Sequence, residues 1–306
     1  MAKAKKKKLK RGDLIFYSLL IAWPVIQFLI FYVGVNLNSF ALSFQRYDVT
    51  TSTYYFPWDD ILVNFKKVFA NFSDYSMFSS MVTNSLIAWI ARLIFGMTLG
   101  VFVAYYIYKK SAGSKFFKIM IMMPAFISSL IFVAIFKVII DNGIPTLIED
   151  MFGVRQPGLI ANRETSFATI LIYGLWFGAG GSMIIYLNAM DGIPESVTEA
   201  AKLDGCGYLQ ELFQITLPLI WKTFMVFFTV SIAGYFTNSM GLYAFWRNSA
   251  DSTVQTFGYY LYVSTMLAGY SDYTYLSAMG LLFTAIAVPI TMVIRHFMFK
   301  YGPSEE

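Results

Sequence analysis

The sequence has almost no cysteine or histidine. Cys206 is the single cysteine and His296 the single histidine among 306 residues. One cysteine excludes an internal disulfide, and zinc sites need three or four clustered ligands. A lone histidine also leaves no Ser/His/Asp set for nucleophilic catalysis. The sequence therefore argues against a metal centre and against catalysis by this chain alone.

Charged residues are scarce as well. They make up 13% of the chain, whereas 57% of the residues are apolar and 19% are aromatic. An average soluble domain carries about 25% charged residues. The sequence also contains no G-x-x-x-x-G-K-[ST] run, the glycine-rich loop that holds nucleotide phosphates. We interpret the chain as one integral membrane domain that binds no cofactor of its own and no nucleic acid.

Six apolar runs separated by polar segments predict an all-α, polytopic membrane fold. The membrane domain is expected over residues 14–299, between a basic N-terminus at 1–13 and a polar tail at 300–306. A helix needs about 20 apolar residues to cross the hydrocarbon core of a bilayer, and every run meets that length. The predicted spans cover about 14–35, 82–108, 116–140, 167–189, 219–243 and 274–297.

The distribution of lysine and arginine predicts that both termini are cytoplasmic. With six spans in this orientation, 15 of the 23 basic residues lie in inside segments and six lie in outside loops. Seven of the 15 precede Leu14. The bias follows the positive-inside rule. It predicts a multi-pass protein of the cell membrane whose polar segment 191–218 faces the cytoplasm.

Arg92 lies inside the second predicted span. A charged side chain at this depth is costly and usually faces protein or water, so it is a candidate functional residue. The alternative is a structural ion pair or polar contact within the helix bundle. Of these two interpretations we favour the structural contact.

The polar segment 191–218 predicts a helix, a turn and a second short helix against the membrane face. Pro194 can begin the first helix, because its missing N–H falls where no helical hydrogen bond is due. Glu199 lies in the first turns of this helix, where negative charge is favoured. Gly205 is expected to end the helix, and Pro218 to close the second one.

This segment resembles the cytoplasmic EAA loop of ABC-importer membrane subunits. The resemblance is carried by Glu199-Ala200-Ala201, then Asp204-Gly205, and then Ile215-Thr216-Leu217-Pro218. Weaker motifs in the expected order extend it to the carbohydrate-uptake branch of these permeases. They are Ser43-Phe44-Gln45-Arg46-Tyr47-Asp48, Asn84-Ser85-Leu86, Pro124, Ile193-Pro194-Glu195 and Ala287-Val288-Pro289.

The resemblance implies the type I importer permease fold and half of a translocation path for a sugar or oligosaccharide. The implied partners are a homologous second permease, two copies of a cytoplasmic ATP-binding subunit that uses ATP and Mg, and an extracellular sugar-binding protein. The loop would dock on the ATP-binding subunit and couple its ATP hydrolysis to transport. The implied coupling residues are Glu199, Ala200, Ala201, Asp204, Gly205 and Pro218.

The fourth and fifth predicted spans carry candidate sugar contacts, because their counterparts line the cavity in this family. Sugars are usually held by aromatic faces and by side-chain amides and hydroxyls. The candidates are Tyr173, Trp176, Tyr235, Asn238 and Ser239. Packing or an interfacial belt is the alternative role for the aromatic ones, since the chain contains 21 Tyr and 30 Phe.

An ion-coupled secondary transporter or channel is the alternative function. Such a protein is expected to carry buried acidic residues or unwound half-helices near the middle of the membrane. The predicted spans contain no Asp or Glu, which argues against proton or cation coupling.

Overall fold

A computed structural model describes residues 11–72 and 75–303 of the chain. In these ranges the protein is helical apart from its loops and one short β-hairpin. Six described helices are long and apolar enough to cross a membrane, which confirms the predicted all-α fold. We number them span 1 to span 6: Ile15–Ser43, Met77–Tyr108, Ser129–Phe152, Arg163–Asp191, Trp221–Trp246 and Asp272–Tyr301. Most of the predicted basic N-terminus and the last three residues of the predicted tail lie outside the described residues.

Shorter elements connect the spans. A hairpin pairs strand Arg46–Asp48 with strand Thr53–Tyr55 in antiparallel order. The shorter helices are Val63–Asn71, Ser114–Phe126, Glu195–Leu203, Tyr208–Glu211, Leu217–Leu219 and Phe257–Leu267. Four π-helical segments occur in the described part of the chain: Phe28–Gly34, Arg92–Gly96, Ile139–Gly143 and Leu212–Thr216.

Several helices extend beyond the apolar runs that predicted them. Span 1 continues to Ser43, past the predicted end of the run 14–35. Span 6 continues to Tyr301, so the predicted tail at 300–306 begins later than expected. Hydropathy marks the end of the hydrocarbon core, whereas a helix continues for as long as its residues make helical backbone hydrogen bonds.

The prediction of one continuous third helix over 116–140 is wrong. The helix Ser114–Phe126 ends shortly after Pro124, and Ile127 is extended, with φ −96° and ψ 140°. Span 3 begins only at Ser129. A proline inside a helix removes one backbone donor and clashes with the preceding turn, which weakens the helix just before the break.

Two segments predicted as outside loops are partly helical. The segment 141–166 contains the end of span 3, and 244–273 contains the helix Phe257–Leu267. Asp141 accepts a hydrogen bond from the backbone N–H of Ile160 at 2.8 Å. This bond fastens the rest of the predicted loop to span 3.

The chain divides into two compact units, whereas the sequence predicted one membrane domain. One unit contains the chain up to Ala70 together with Ala268–Leu282. The other contains Asn71–Leu267 together with the chain from Phe283 onward. All residues of the predicted coupling loop and sugar path belong to this second unit.

In the first unit, a short helix supports the hairpin that follows span 1. Asn64 of this helix is buried, and its amide donates to the carbonyls of Ser43 at 3.0 Å and Gln45 at 2.7 Å. At the hairpin turn, the hydroxyl and backbone N–H of Thr50 donate to Asp48, and these bonds lower the pKa of Asp48. The sequence motif after the first span therefore builds this hairpin.

In the second unit, glycines let three helices approach one another closely. A Cβ added to Gly180 would lie 2.5 Å from the carbonyl oxygen of Ile121 in the helix Ser114–Phe126. One added to Gly100 of span 2 would lie 2.8 Å from Oγ of Ser182 in span 4. The small-residue patch of the fourth span thus admits neighbouring helices, as expected.

Replacing Gly180 with alanine should lower the thermal unfolding midpoint of the purified chain, because the new methyl group meets a backbone carbonyl. Overpacking of this kind costs about 1–3 kcal/mol. Gly181→Ala is the matched control, since a Cβ on Gly181 has nothing within 4 Å. Alanine is favoured over glycine in a helix by roughly 1 kcal/mol. Equal midpoints for the two variants, measured by near-UV circular dichroism in detergent, would count against the close approach.

Candidate functional site: the coupling loop and a membrane cavity

The polar loop forms the helix that the sequence predicts. It begins at Glu195 directly after Pro194, whose φ of −57° and ψ of 134° place it outside the helix. The hydroxyl of Thr198 donates to the carbonyl of Glu195 at 2.9 Å, which satisfies an acceptor in the first turn. We call the helix Glu195–Leu203 the coupling helix.

Gly205 ends the coupling helix in a left-handed conformation, with φ +74°. Its N–H donates to the carbonyl of Lys202 at 3.1 Å, and the N–H of Cys206 donates to the carbonyl of Ala201 at 2.9 Å. These two bonds form a Schellman motif, which satisfies carbonyls that the helix end leaves unpaired. Glycine is needed here because a Cβ disfavours this backbone conformation.

One face of the coupling helix is open to another subunit. Glu199, Ala200 and Asp204 are exposed, and Leu203 is 90% exposed although it is large and apolar. Ala201 is only 5% exposed. Of the two alanines that the resemblance implies as coupling residues, only Ala200 is exposed in this chain. Leu203 was not predicted as part of this exposed face, although a leucine at the end of a polar helix was the available signal.

The second half of the loop is anchored to the end of span 2 by a buried ion pair. Nζ of Lys109 lies 2.8 and 2.7 Å from the two carboxylate oxygens of Glu211. The Lys109 side chain is 15% exposed and that of Glu211 is 3% exposed. The hydroxyl of Tyr105 also donates to the carbonyl of Tyr208 at 2.9 Å.

An apolar contact reinforces this anchor. Leu212 is 1% exposed and packs with residues of spans 2 and 4, among them Ala104 and Met190. Pro218 is half-buried near the start of span 5. Both polar and apolar contacts therefore hold the loop to the end of span 2.

The second unit also contains a cavity of about 510 Å³ at the depth of the spans. Three of the predicted sugar contacts, Tyr173, Asn238 and Ser239, line it. Arg92 and Tyr243 line it too. This volume falls within the range of small-molecule sites, which is roughly 300–1,000 Å³.

The other two candidate sugar contacts, Trp176 and Tyr235, lie outside the cavity lining. Trp176 is 46% exposed and packs against the ring of Phe132, with ring centroids 5.4 Å apart. The hydroxyl of Tyr235 donates to the carbonyl of Val82 at 3.4 Å, which directs this side chain towards span 2. Both contacts are packing contacts between helices.

Helical structure is interrupted at three places around this cavity. Span 2 becomes π-helical at Arg92, and span 3 begins at Ser129 after the break described above. Span 5 unwinds after Thr237 and resumes at Leu242, with Gly241 left-handed at φ +71°. Irregular backbone at membrane depth is tolerated where it is buried in protein or lines a water-filled cavity. At each of these three interruptions the chain lines the cavity, through Arg92, Ser129 and residues 238–241.

Buried side chains hold the interruption of span 5 in place. The hydroxyl of Thr256 donates to the carbonyl of Asn238 at 2.7 Å. The loop before Thr256 is held by the amide of Asn84, which donates to the carbonyls of Thr253 at 2.7 Å and Gln255 at 3.0 Å. These contacts explain why a side-chain amide, that of Asn84, occurs near the start of span 2.

Comparison with known proteins defines the class. Residues 96–301 match the family described as binding-protein-dependent transport system inner membrane component. This stretch is about two thirds of the chain and includes the coupling loop. The chain belongs to this family, and the resemblance inferred from the EAA loop is confirmed.

Individual relatives are transport permeases. The probable ABC transporter permease protein YesP of Bacillus subtilis is 27% identical over 314 residues, covering all of this chain and 98% of YesP. The polygalacturonan/rhamnogalacturonan transport system permease protein YteP of the same organism is 28% identical, over 61% of this chain and 59% of YteP. The maltose/maltodextrin transport system permease protein MalF of Escherichia coli is 28% identical, over 63% of this chain and 37% of MalF. The chain thus matches well under two thirds of YteP and of MalF.

A solved structure shares the fold. A chain of the bacterial alginate ABC transporter, crystallised with an alginate pentasaccharide-bound periplasmic protein, superposes with a TM-score of 0.73 at 20% identity. The superposition covers 94% of this chain and 95% of that chain. At this identity the match supports the importer permease fold, as the six spans do.

Proposed function

We propose that this chain is a permease subunit of an ATP-driven, binding-protein-dependent importer of a sugar or oligosaccharide. It forms half of the translocation path with a homologous second permease. Two copies of a cytoplasmic ATP-binding subunit and an extracellular sugar-binding protein complete the assembly. The relatives' names support the substrate class, because they include transporters of pectic polymers and of maltodextrins.

The observation that carries this proposal is the exposed coupling helix within the family-matched stretch. Its outer face presents Glu199, Ala200 and Leu203, while the rest of its loop is fastened to span 2. A surface that is both open and rigidly attached suits the transfer of motion from another subunit. Because the chain carries no phosphate-binding loop, the energy of ATP has to enter from such a partner.

In the proposed mechanism, ATP closes the two ATP-binding subunits and moves the coupling helix docked on each permease. The Lys109–Glu211 pair transmits this displacement to the cytoplasmic end of span 2. Span 2 carries Arg92 and Ala88 into the cavity lining, so its motion changes the cavity. Alternating access follows when the cavity opens to one side of the membrane at a time.

Interrupted helices also occur in ion-coupled transporters. This feature therefore does not distinguish an ATP-driven importer from an ion-coupled transporter. Coupling to protons or cations needs acidic side chains at the site, and the described cavity lining contains no Asp or Glu. Family membership favours the importer. The ion-coupled transporter therefore remains the weaker alternative.

The test is to express the chain with its neighbouring permease, ATP-binding and binding-protein genes and to reconstitute the complex in proteoliposomes. We expect an ATP-binding subunit to co-purify, and its ATP hydrolysis to rise when binding protein and an oligosaccharide are added together. A panel of neutral and acidic trisaccharides supplies the ligand. Uptake driven by an ion gradient with this chain alone, or purification without any ATP-binding subunit, would refute the proposal.

A further inference from the structure

Arg92 places a permanent positive charge at the centre of a membrane span. It is the sixteenth of the 32 residues of span 2, so it lies about 24 Å from the Tyr108 end at 1.5 Å per residue. A guanidinium group stays protonated at any physiological pH. The side chain is exposed and lines the cavity. Such a charge is expected to face water or a partner of opposite sign.

No carboxylate in the described residues neutralises this guanidinium. The ion pairs of the described chain join Lys66 to Asp60, Lys109 to Glu211 and Arg163 to Asp251. Asp141, the first acidic residue of span 3, already accepts hydrogen bonds from the backbone N–H groups of Ile160 and Ala161. The structural contact favoured for Arg92 was an ion pair or a polar contact within the bundle, and no ion pair of Arg92 occurs among the described residues.

The other polar groups at the cavity add no negative charge. The helix that begins span 3 has its first residues, Ser129 and Leu130, in the cavity lining. A helix N-terminus carries a partial positive charge, so it strengthens the attraction for an anion. The remaining polar groups are neutral amides and hydroxyls, such as those of Asn238 and Ser239.

The lining also suits a sugar ring. Tyr173, Tyr243 and Tyr262 are among the residues that line the cavity. The hydroxyl of Tyr173 is buried and has no hydrogen-bond partner in the described structure. Aromatic faces, neutral donors and acceptors, and one unpaired cation together match a sugar that bears a carboxylate.

We propose that this cavity binds an acidic oligosaccharide, and that Arg92 is the ligand of a uronate carboxylate. The proposal rests on the proposed function and names the substrate class of the same path. Arginine can hold a carboxylate through two parallel N–H···O bonds, which gives charge and geometry together. Neutral oligosaccharides of the same length would leave the guanidinium without its partner.

The test measures equilibrium binding to the reconstituted complex without binding protein, so that only the membrane path selects the ligand. The two probes are trigalacturonate and its fully methyl-esterified form, in which each carboxylate is replaced by a neutral methyl ester. We expect the acid to bind at least about tenfold more tightly than the ester, as the loss of a charge-assisted bond implies. Raising the salt concentration should weaken binding of the acid only.

Arg92→Gln should remove the preference for the acid and leave binding of the ester unchanged. Arg92→Lys should retain part of the preference, because it keeps the charge but loses the two-pronged geometry. Lys118→Gln is the matched control, because it removes one exposed positive charge away from the cavity lining. It should leave both affinities as they are. Thermal unfolding midpoints confirm that each variant is folded.

Four results would overturn the assignment, and the last of them would do so without affecting the proposed importer. The first is equal affinity for the acid and the ester in the unmodified complex. The second is an equal loss of both affinities in Arg92→Gln. The third is loss of the second permease from the purified Arg92→Gln complex, which would assign Arg92 to the interface between permeases. Stimulation of ATP hydrolysis by neutral oligosaccharides alone would reject the acidic ligand while leaving the importer intact.

Discussion

Replacing Lys109 with methionine should lower the free energy of unfolding of this chain by about 3–5 kcal/mol. The substitution leaves the carboxylate of Glu211 buried, at 3% exposure, without its counter-ion. An unpaired buried charge is far more costly than the intact pair is stabilising. The measurement is the loss of near-UV circular dichroism with denaturant in detergent. The same variant should also transmit less motion from the coupling helix to span 2.

Two further variants make the Lys109 prediction specific. Lys115→Met removes an exposed lysine from the following helix and should change the free energy of unfolding by less than about 0.5 kcal/mol. The double variant Lys109→Met/Glu211→Leu should recover most of the lost stability, because well-packed apolar residues often replace a buried ion pair without cost. If the double variant is less stable than Lys109→Met alone, the pair is not the reason for the loss.

The features predictable from sequence were those with a local physical cause. Apolar length alone located the spans apart from the third, where it merged the helix Ser114–Phe126 with the start of span 3, because a membrane admits only helices or closed barrels. Pro194 and Gly205 identified both ends of the coupling helix, since each residue type constrains its own backbone. These predictions needed no knowledge of which segments lie next to one another.

The features that escaped prediction depend on contacts between distant parts of the chain. Lys109 and Glu211 are 102 residues apart. No residue next to either of them in sequence indicates that they form an ion pair. Trp176 and Tyr173 are three residues apart on one helix, yet only Tyr173 lines the cavity. An apolar helix buried against protein on one side and lipid on the other shows no amphipathic pattern that would distinguish the two faces.

Both interpretations of Arg92 from the sequence, a functional residue and a structural contact, had a sound physical basis. An arginine in a span needs a partner, and an ion pair within the bundle was the simplest one. The described residues provide a cavity and no carboxylate for it. Water, a ligand or another subunit can meet this charge, and the neutral lining with its three tyrosines favours a ligand.

Replacing Gly205 with valine should uncouple ATP hydrolysis from uptake while the protein still reaches the membrane. At φ +74°, a residue with a Cβ is strained by roughly 1–2 kcal/mol, and a β-branched one is an outlier there. That strain lowers the equilibrium constant that favours the intact helix end by about 5–30-fold. The last turn, which presents Leu203, would be displaced. We expect both sugar-stimulated ATP hydrolysis and uptake by proteoliposomes to fall, by up to this factor.

Gly207→Val is the matched control for this effect. Gly207 lies in the same loop with an ordinary φ of −72°, and a Cβ there has nothing within 4 Å. This variant therefore adds the same side chain two residues away without backbone strain, and it should retain coupling. If both variants uncouple equally, bulk in the loop is responsible and the left-handed turn is not. Full uptake by Gly205→Val at normal expression would mean that the end of the coupling helix does not carry force between the subunits.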